Sequence, residues 1–236
     1  MYNLTPEFLN SLCPQGNITL MASLSPFLNK WLPQYQITTI LRISNFLGQA
    51  AQETAYFRTL TEYASGREYE GRQDLGNVYQ GDGERFRGRG IFQITGRANY
   101  TKADVQLDLG TQLIDNPQLA ADPEISVRTA CEYWNARNMN AWADQNNIHQ
   151  ITRLINGGYN GLAVRTSLTN KANQLLCQMA ETIVPPVILV QAPVMVPPQP
   201  QQSPENPLDI IENFVKNTFE QAQALKFMPA FGKEGQ

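Results

Sequence analysis

The sequence is poor in the residues that build metal and disulfide sites. Its 236 residues include one histidine and three cysteines. Cys13, Cys131 and Cys177 lie far apart, so they predict neither a disulfide framework nor a cluster of metal ligands. His149 has no acid or nucleophile near it in the sequence, and we interpret it as structural. We therefore expect no metal, and the odd number of thiols favours synthesis in a reducing compartment.

Long apolar runs and an excess of positive charge are also lacking. No stretch approaches the roughly 20 apolar residues of a membrane-spanning helix, so we expect no integral membrane segment. Residues 1–7 show no basic segment followed by an apolar run, which predicts synthesis in the cytoplasm without a conventional signal peptide. The net charge of −3 argues against nucleic acid as the main partner, because phosphate binding leaves a basic footprint.

Composition divides the chain into three segments. Residues 1–182 carry several helical patterns and predict one mainly α-helical domain with a small β-sheet. Residues 183–206 are rich in proline, which predicts an extended, semi-rigid linker. Residues 207–236 place apolar side chains at helical spacing and predict an amphipathic helix and a tail. That helix is a candidate contact for a delivery or inhibitor protein, or it packs on the first domain.

Within the first domain, the pattern changes twice around the candidate site. Thr38 or Thr39 is expected to cap a helix that runs to about Phe57. Residues 66–90 are rich in glycine and charge and predict a long ordered loop. Residues 91–95 alternate in polarity like a short strand.

One acidic residue lies on the apolar face of the first of these helices. Phe46, Ala50, Glu53 and Phe57 are spaced by four, three and four residues, so they share one face. Burial disfavours the charged form of a carboxyl group, which suits a general acid that protonates a glycosidic oxygen near neutral pH. The competing interpretation is a glutamate at the edge of the apolar face that pairs with an arginine.

Glycoside hydrolysis needs a second carboxylate, and Glu62 is the first candidate. On one continuous helix, residues 53 and 62 would lie about 13.5 Å apart along the axis and on opposite sides. The helix is therefore expected to end after Phe57, so that the chain turns back and Glu62 faces Glu53. Glu68 and Glu70 are rival candidates from the same loop, with solvated surface charge as the competing interpretation.

Polar and aromatic residues later in the chain extend the candidate site. Gln93 and Thr95 share the polar side of the expected strand, and Asn99 follows four residues later. Their amides and hydroxyl can hold water or sugar hydroxyls. The aromatic candidates for stacking on sugars, with core packing as the alternative, are Tyr100, Tyr133, Trp134, Trp142 and Tyr159.

The segment from residue 46 to residue 165 resembles glycoside hydrolase family 19, and its compact bacterial and phage members in particular. The motif FLGQAAQET at residues 46–54 resembles the family's catalytic helix, and EYAS at residues 62–65 resembles the segment with the second carboxylate. The most specific likeness is GDGERFRGRGIFQITGRANY at residues 81–100. INGGYNGL at residues 155–162 resembles an asparagine-glycine cleft motif, and an arginine follows at Arg165.

The resemblance implies roles for individual residues. Glu53 would be the general acid, Glu62 the base that activates water, and Thr95 the hydroxyl that helps to hold this water. It also implies a lysozyme-like α+β fold with the catalytic cleft between helical lobes, and no cofactor. The substrate-binding residues that it implies are Ser65, Glu70, Gln93, Asn99, Tyr100, Asn156 and Arg165.

The sequence departs from the family pattern beside the acid. Family members usually carry histidine just before this glutamate, and here the residue is Gln52, which can form hydrogen bonds but cannot titrate. Glycines often follow the glutamate, where this chain has Ala55 and Tyr56. Gln52 is therefore not expected to tune Glu53 as the histidine does, and Tyr56 is a candidate to narrow the cleft or to stack on a sugar.

The resemblance leads to a functional expectation with alternatives. A monomeric enzyme is expected to hydrolyse β-1,4 bonds of peptidoglycan with inversion, as a phage lysis enzyme or a secreted antibacterial effector. It would act at the cell wall or in the periplasm after release or non-classical delivery. The alternatives are a chitinase that acts on N-acetylglucosamine polymers, and a wall-binding module without catalysis.

Overall fold

A computed structural model describes residues 2–183 of the chain. The predicted proline-rich linker and C-terminal amphipathic helix lie outside the described residues, apart from Ile183 at the end of the last helix. None of the helices within this range has the length and apolar character needed to cross a membrane.

The described part of the chain is built from α-helices joined by short turns and 3-10 helices. This confirms the mainly α-helical class that the sequence predicts. The α-helices in chain order are α1 Pro6–Leu12, α2 Ile18–Trp31, α3 Ile40–Glu53, α4 Asp82–Arg85, α5 Arg97–Gln106, α6 Gln112–Asp115, α7 Pro123–Asn135, α8 Met139–Asp144, α9 Ile148–Asn156 and α10 Leu162–Ile183. The 3-10 helices are Leu32–Tyr35, Arg67–Tyr69, Gln73–Leu75 and Pro117–Ala121.

The small β-sheet is not formed in residues 2–183, and the expected strand at residues 91–95 is wrong. The only β-type pairings in this range are isolated bridges from Arg89 to Thr61 and to Ile94. Gly90 and Gln93 both adopt positive φ angles, of 81° and 49°. The backbone therefore reverses within the segment, and Ile94 N donates to Arg89 O at 2.8 Å. Alternating polarity in so short a segment describes a tight turn equally well.

Helix α3 starts where the sequence predicts and ends earlier. Thr39 caps it, with its hydroxyl oxygen accepting from Arg42 N at 3.2 Å. The helix ends at Glu53 instead of continuing to Phe57, because residues 55–57 all adopt positive φ. The Thr54 hydroxyl donates to Ala50 O and accepts from Phe57 N, which fixes this reversal. Glu53 is thus the last residue of the helix, directly before the chain turns away.

Two apolar clusters form the interior. The larger one surrounds α3, where Phe46 lies 5.3 Å from the Phe92 ring and 5.4 Å from the Trp134 ring. The smaller cluster is formed by Phe86, Tyr100, Ala103, Leu113 and Ala120. Trp134 is fully buried, so core packing is the correct interpretation of this residue.

Candidate active site

Glu53 forms an ion pair at the end of α3. Its Oε1 accepts a hydrogen bond from Arg165 Nη2 at 2.5 Å, and the two side chains are 16% and 3% exposed. The Oε2 atom of Glu53 has no hydrogen-bond partner among the described residues. One oxygen is therefore fixed by the guanidinium, and the other remains for a ligand. The pairing with an arginine that the sequence left as an alternative is present, in a largely buried setting.

Arg165 is itself held by two further partners. Its Nη1 donates to Gln49 Oε1 at 2.7 Å, and its Nε donates to Asn160 O at 3.1 Å. Gln49 is fully buried, and its amide nitrogen donates to the Thr152 hydroxyl at 3.1 Å. The orientation of the guanidinium is therefore set by α3, α9 and the turn before α10. Sequence analysis missed Gln49, although it lies four residues before Glu53 and so on the same helix face.

Glu62 is held as a hydrogen-bond acceptor through both of its carboxylate oxygens. Oε1 accepts from Gly88 N at 2.8 Å, and Oε2 accepts from the Tyr69 hydroxyl at 3.0 Å. Burial, together with the hydrogen bond to Glu62, raises the pKa of Tyr69 to about 12, so this hydroxyl keeps its proton. The two contacts hold the Glu62 carboxylate in one orientation, as a group that accepts a proton from water requires.

Gly88 provides the space between Glu62 and Gln93. A Cβ atom at this glycine would lie 3.0 Å from Gln93 Oε1 and 3.1 Å from Glu62 Oε2. The two side chains therefore approach the same small volume from two sides. The glycine-rich motif indicated this loop, but the sequence alone did not show which glycine lies beside the second carboxylate.

A groove of about 230 Å³ lies next to this pair. Its lining includes Gln93, Thr95 and Asn99, as the resemblance implies, together with Phe92 and Tyr133 from the side of the larger cluster. The Thr95 hydroxyl donates to Gln93 O at 3.0 Å, and Asn99 Nδ2 donates to Thr95 O at 2.7 Å. Ala103 and Ile94, from the smaller cluster, line the opposite side. The groove thus lies between the two clusters of the domain.

Each of the two carboxylates is linked to this groove through a residue that lines it. Glu62 lies beside Gln93 across Gly88. At Tyr133, burial raises the pKa of the hydroxyl, Arg137 opposes this rise, and the charge of Glu53 adds to it. Glu53 thus bears electrostatically on Tyr133, whose hydroxyl donates to Leu154 O at 2.8 Å.

Two of the predicted substrate-binding residues support the structure instead of lining the groove. Tyr100 is fully buried, and its hydroxyl donates to Arg87 O and accepts from Arg89 Nη1. A direct contact between Tyr100 and a polysaccharide is therefore wrong for this structure. Glu70 accepts from Gly81 N at 2.7 Å and from Gly83 N at 2.8 Å, and so caps the first turn of α4.

The remaining predicted residues lie at the margins of the site. Ser65 is exposed and accepts a long hydrogen bond of 3.4 Å from Arg67 N. Asn156 ends α9 and accepts from Asn160 N at 3.2 Å, in the turn that also holds Arg165. Gln52, which replaces the expected histidine, has a buried Oε1 atom without a hydrogen-bond partner in the described structure.

Glycoside hydrolases act through a pair of carboxylates, and Glu53 and Glu62 are two ordered carboxylates linked to one groove. Comparison with known families agrees with this class. Glycoside hydrolase family 19, described as chitinase class I, matches residues 36–166, which is more than half of the chain. The chain belongs to glycoside hydrolase family 19.

Curated relatives match parts of the chain. A glycosyl hydrolase family 19 domain-containing protein of Haemophilus influenzae is 38% identical over 107 residues, which are 45% of this chain and 50% of the relative. The acidic endochitinase pcht28 of Solanum chilense is 44% identical over 52 residues, which are 22% of this chain and 21% of the relative. The chain thus spans half the length, or less, of these relatives.

Solved structures share the fold at lower sequence identity. Chitinase C from Streptomyces griseus superimposes with a TM-score of 0.58 at 21% identity, covering 75% of this chain and 77% of that chain. A bacterial family 19 chitinase superimposes with a TM-score of 0.60 at 20% identity, covering 74% of this chain and 95% of that chain. The described domain therefore has the fold of family 19 chitinases.

Proposed function

We propose that this protein hydrolyses β-1,4 glycosidic bonds in the glycan strands of peptidoglycan by an inverting mechanism with two carboxylates. Glu53 gives a proton to the leaving oxygen, and Glu62 removes a proton from the attacking water. The C–O bond to the leaving sugar breaks as the water oxygen bonds to the anomeric carbon from the opposite face. Glu53 ends as a carboxylate and Glu62 as a carboxylic acid, so protons and charge balance.

The observation that carries this proposal is the difference between the two carboxylates. Glu53 is bound at one oxygen by a buried guanidinium, and its other oxygen has no hydrogen-bond partner in residues 2–183, so it is available to a leaving group. Glu62 accepts at both oxygens from neutral donors, Gly88 N and the Tyr69 hydroxyl, which fix the orientation of its carboxylate. Gln93 lies beside Glu62, and the Thr95 hydroxyl, which is bonded to Gln93 O, lines the same groove, so the two residues can hold a water molecule.

Chitin is the second candidate substrate, and the relatives favour it. Two plant relatives carry the name acidic endochitinase, and solved structures with this fold are named chitinases. Both polymers are β-1,4-linked and contain N-acetylglucosamine, so one pair of carboxylates serves either. The choice depends on the groups that surround the sugar ring.

Mass analysis of products tests both the reaction and the substrate. The wild type and Glu53→Gln are incubated with purified murein and with N-acetylglucosamine oligomers. We expect the wild type to release disaccharide-peptide fragments from murein, and Glu53→Gln to lose about 10³-fold or more of the rate. A Glu53→Gln variant that clears murein at the wild-type rate would refute the catalytic assignment.

A wall-binding module without catalysis is the third candidate. It predicts that the protein sediments with murein and releases no new reducing ends. The presence of both Glu53 and Glu62, each with ordered partners, favours the enzyme over this candidate.

The biological role that we propose is action at the cell wall or in the periplasm, as a phage lysis enzyme or a secreted antibacterial effector. The C-terminal segment is proposed to contact a delivery or inhibitor protein. Deletion of residues 185–236 separates the roles of the two parts. Murein hydrolysis in vitro should persist, while delivery or cell lysis should fall. Equal loss of both would contradict a role in delivery.

A further inference from the structure

One end of the groove carries charged side chains that the proposed mechanism does not use. Its lining includes Lys102 from α5, Glu132 from α7 and Arg137 just after α7. These residues line the same groove as Gln93, Thr95 and Asn99, so a sugar chain bound in the groove can contact both groups.

The two cations of this charged end have no acidic partner within residues 2–183. The ion pairs in that range use six other basic residues, among them Arg97 and Arg165. Arg137 lies over the Tyr133 ring, 3.4 Å from its centre, and its Nη1 atom makes a long contact of 3.4 Å with Tyr133 O. Lys102 is exposed. The remaining N–H groups of both side chains are therefore free to bind an acceptor.

Glu132 is the acidic residue among those that line the groove, and it already has a partner. Its Oε1 accepts from the Tyr35 hydroxyl at 2.8 Å. Two cations and one carboxylate line the charged end, so this end has an excess of positive charge. The whole chain has a net charge of −3, and the local excess is therefore opposite in sign to the overall charge. A groove lined by charge of one sign concentrates ligands of the other sign.

Arg137 packs on Tyr133, which lines the same groove. The charges of Arg137 and Glu53 have opposite effects on the pKa of the Tyr133 hydroxyl, which Arg137 lowers and Glu53 raises. A ligand in the groove that contacts Tyr133 therefore also meets Arg137. A planar guanidinium that is already positioned over an aromatic ring suits a carboxylate, which accepts two parallel hydrogen bonds.

We propose that Lys102 and Arg137 bind carboxylates that project from the glycan strand, and that they select an anionic glycan over a neutral one. Peptidoglycan carries such carboxylates on its stem peptides, whereas chitin is neutral. The inference rests on the proposed function and specifies how its substrate is chosen. Lys102 and Arg137 are specificity-determining residues here and take no part in the proton transfers.

The test compares matched substrates that differ only in charge. Soluble murein oligomers are used with stem carboxylates free or converted to amides, beside an uncharged N-acetylglucosamine oligomer. The variants are Lys102→Gln, Arg137→Gln and the double variant. Lys30→Gln is the control, since it removes the same charge from α2, where Lys30 pairs with Glu124 outside the groove. Initial rates give kcat and KM for each pair.

We expect the double variant to raise KM for the free-carboxylate oligomer about 5- to 20-fold, with kcat nearly unchanged. KM for the amidated and uncharged oligomers should stay within about twofold in every variant. Added salt should reduce the preference of the wild type, because the cations are partly exposed. Equal kcat/KM of the wild type for free and amidated oligomers would overturn the anion site alone. Cleavage of the uncharged oligomer without cleavage of any murein oligomer would overturn the proposed peptidoglycan activity as well.

Discussion

Arg165 connects three parts of the site through different nitrogen atoms. It donates to Glu53, to Gln49 and to the backbone of Asn160. Arg165→Met should lower the free energy of unfolding by about 3–5 kcal/mol, because it leaves a carboxylate and an amide oxygen unpaired in a largely buried place. Arg165→Lys should recover only part of the lost stability, since an ammonium group cannot reach all three acceptors. Urea unfolding measures the free energy of unfolding of both variants.

A control for this prediction is Arg72→Gln, which removes an arginine from an exposed pair with Asp74. Its unfolding midpoint should stay near the wild-type value, because exposed ion pairs contribute little. If Arg165→Met unfolds at the same denaturant concentration as Arg72→Gln, the buried network does not stabilise the site.

A second prediction at the residue scale concerns Gly88, which lies beside the proposed base. A methyl group there would press on Gln93 Oε1 and on Glu62 Oε2. Gly88→Ala should therefore displace the base and lower kcat about tenfold or more, because small errors in position slow reactions strongly. Kinetics are compared with urea unfolding of the same variant. An unchanged kcat would contradict the position that we assign to Glu62.

At the scale of elements, α3 and α10 meet at a glycine. A Cβ atom at Gly48 would lie 2.1 Å from Thr169 Oγ1 and 2.8 Å from Thr169 N. In an isolated helix, alanine is more favourable than glycine by about 1 kcal/mol. We nevertheless expect Gly48→Ala to destabilise the protein by about 1–3 kcal/mol, because the methyl group would overlap Thr169. Thermal unfolding measures the change.

Gly158→Ala is the matched control, because its Cβ would meet only Asn156 Oδ1, at an ordinary 3.7 Å. The double variant Gly48→Ala/Thr169→Ala should recover part of the loss, since the backbone of Thr169 still crowds the methyl group. Equal stability of Gly48→Ala and the control would show that the helices can separate freely.

The long loop is attached to α5 by a buried ion pair. Asp82 accepts two hydrogen bonds from Arg97, which, with further bonds from Tyr79 N and Val78 N, lower its pKa. A pKa that is lower in the folded state stabilises the protein above the unfolded value of about 3.9, and this contribution is lost as the pH falls through the folded value.

The prediction compares Asp82→Asn with the wild type in urea at several pH values. The difference in the free energy of unfolding should be constant above about pH 5 and should shrink below about pH 4. A difference that persists unchanged to about pH 2 would mean that the charge of Asp82 contributes nothing.

Local patterns predicted the elements to different degrees. The sequence predicted the capping threonine and the apolar face of α3, because both depend on residues within a few positions of each other. The sequence did not predict that α3 ends at Glu53. Three successive positive φ angles at non-glycine residues cause this end, and they depend on contacts such as the Thr54 hydroxyl bonds. The expected strand failed for a similar reason, since a five-residue alternation fits both a strand and a turn.

At the scale of the whole molecule, the family that the motifs predict is confirmed by the match over residues 36–166, which includes the long motif at residues 81–100. Gln93 and Thr95 of this motif line the groove. It could not separate groove residues from supporting ones. Tyr100 ends this motif, yet it is buried, and Glu70, from the loop before the motif, caps α4. Partners from distant segments, such as Gln49 and Thr152, depend on how the helices pack.

The central claim is that Glu53 and Glu62 act across one sugar ring, with water attacking from the face opposite the leaving group. Proton NMR of the first product formed from a β-1,4-linked murein oligomer tests this most directly, before mutarotation mixes the anomers. The account predicts that the new reducing end appears first as the α-anomer. A new reducing end that appears first as the β-anomer would contradict it.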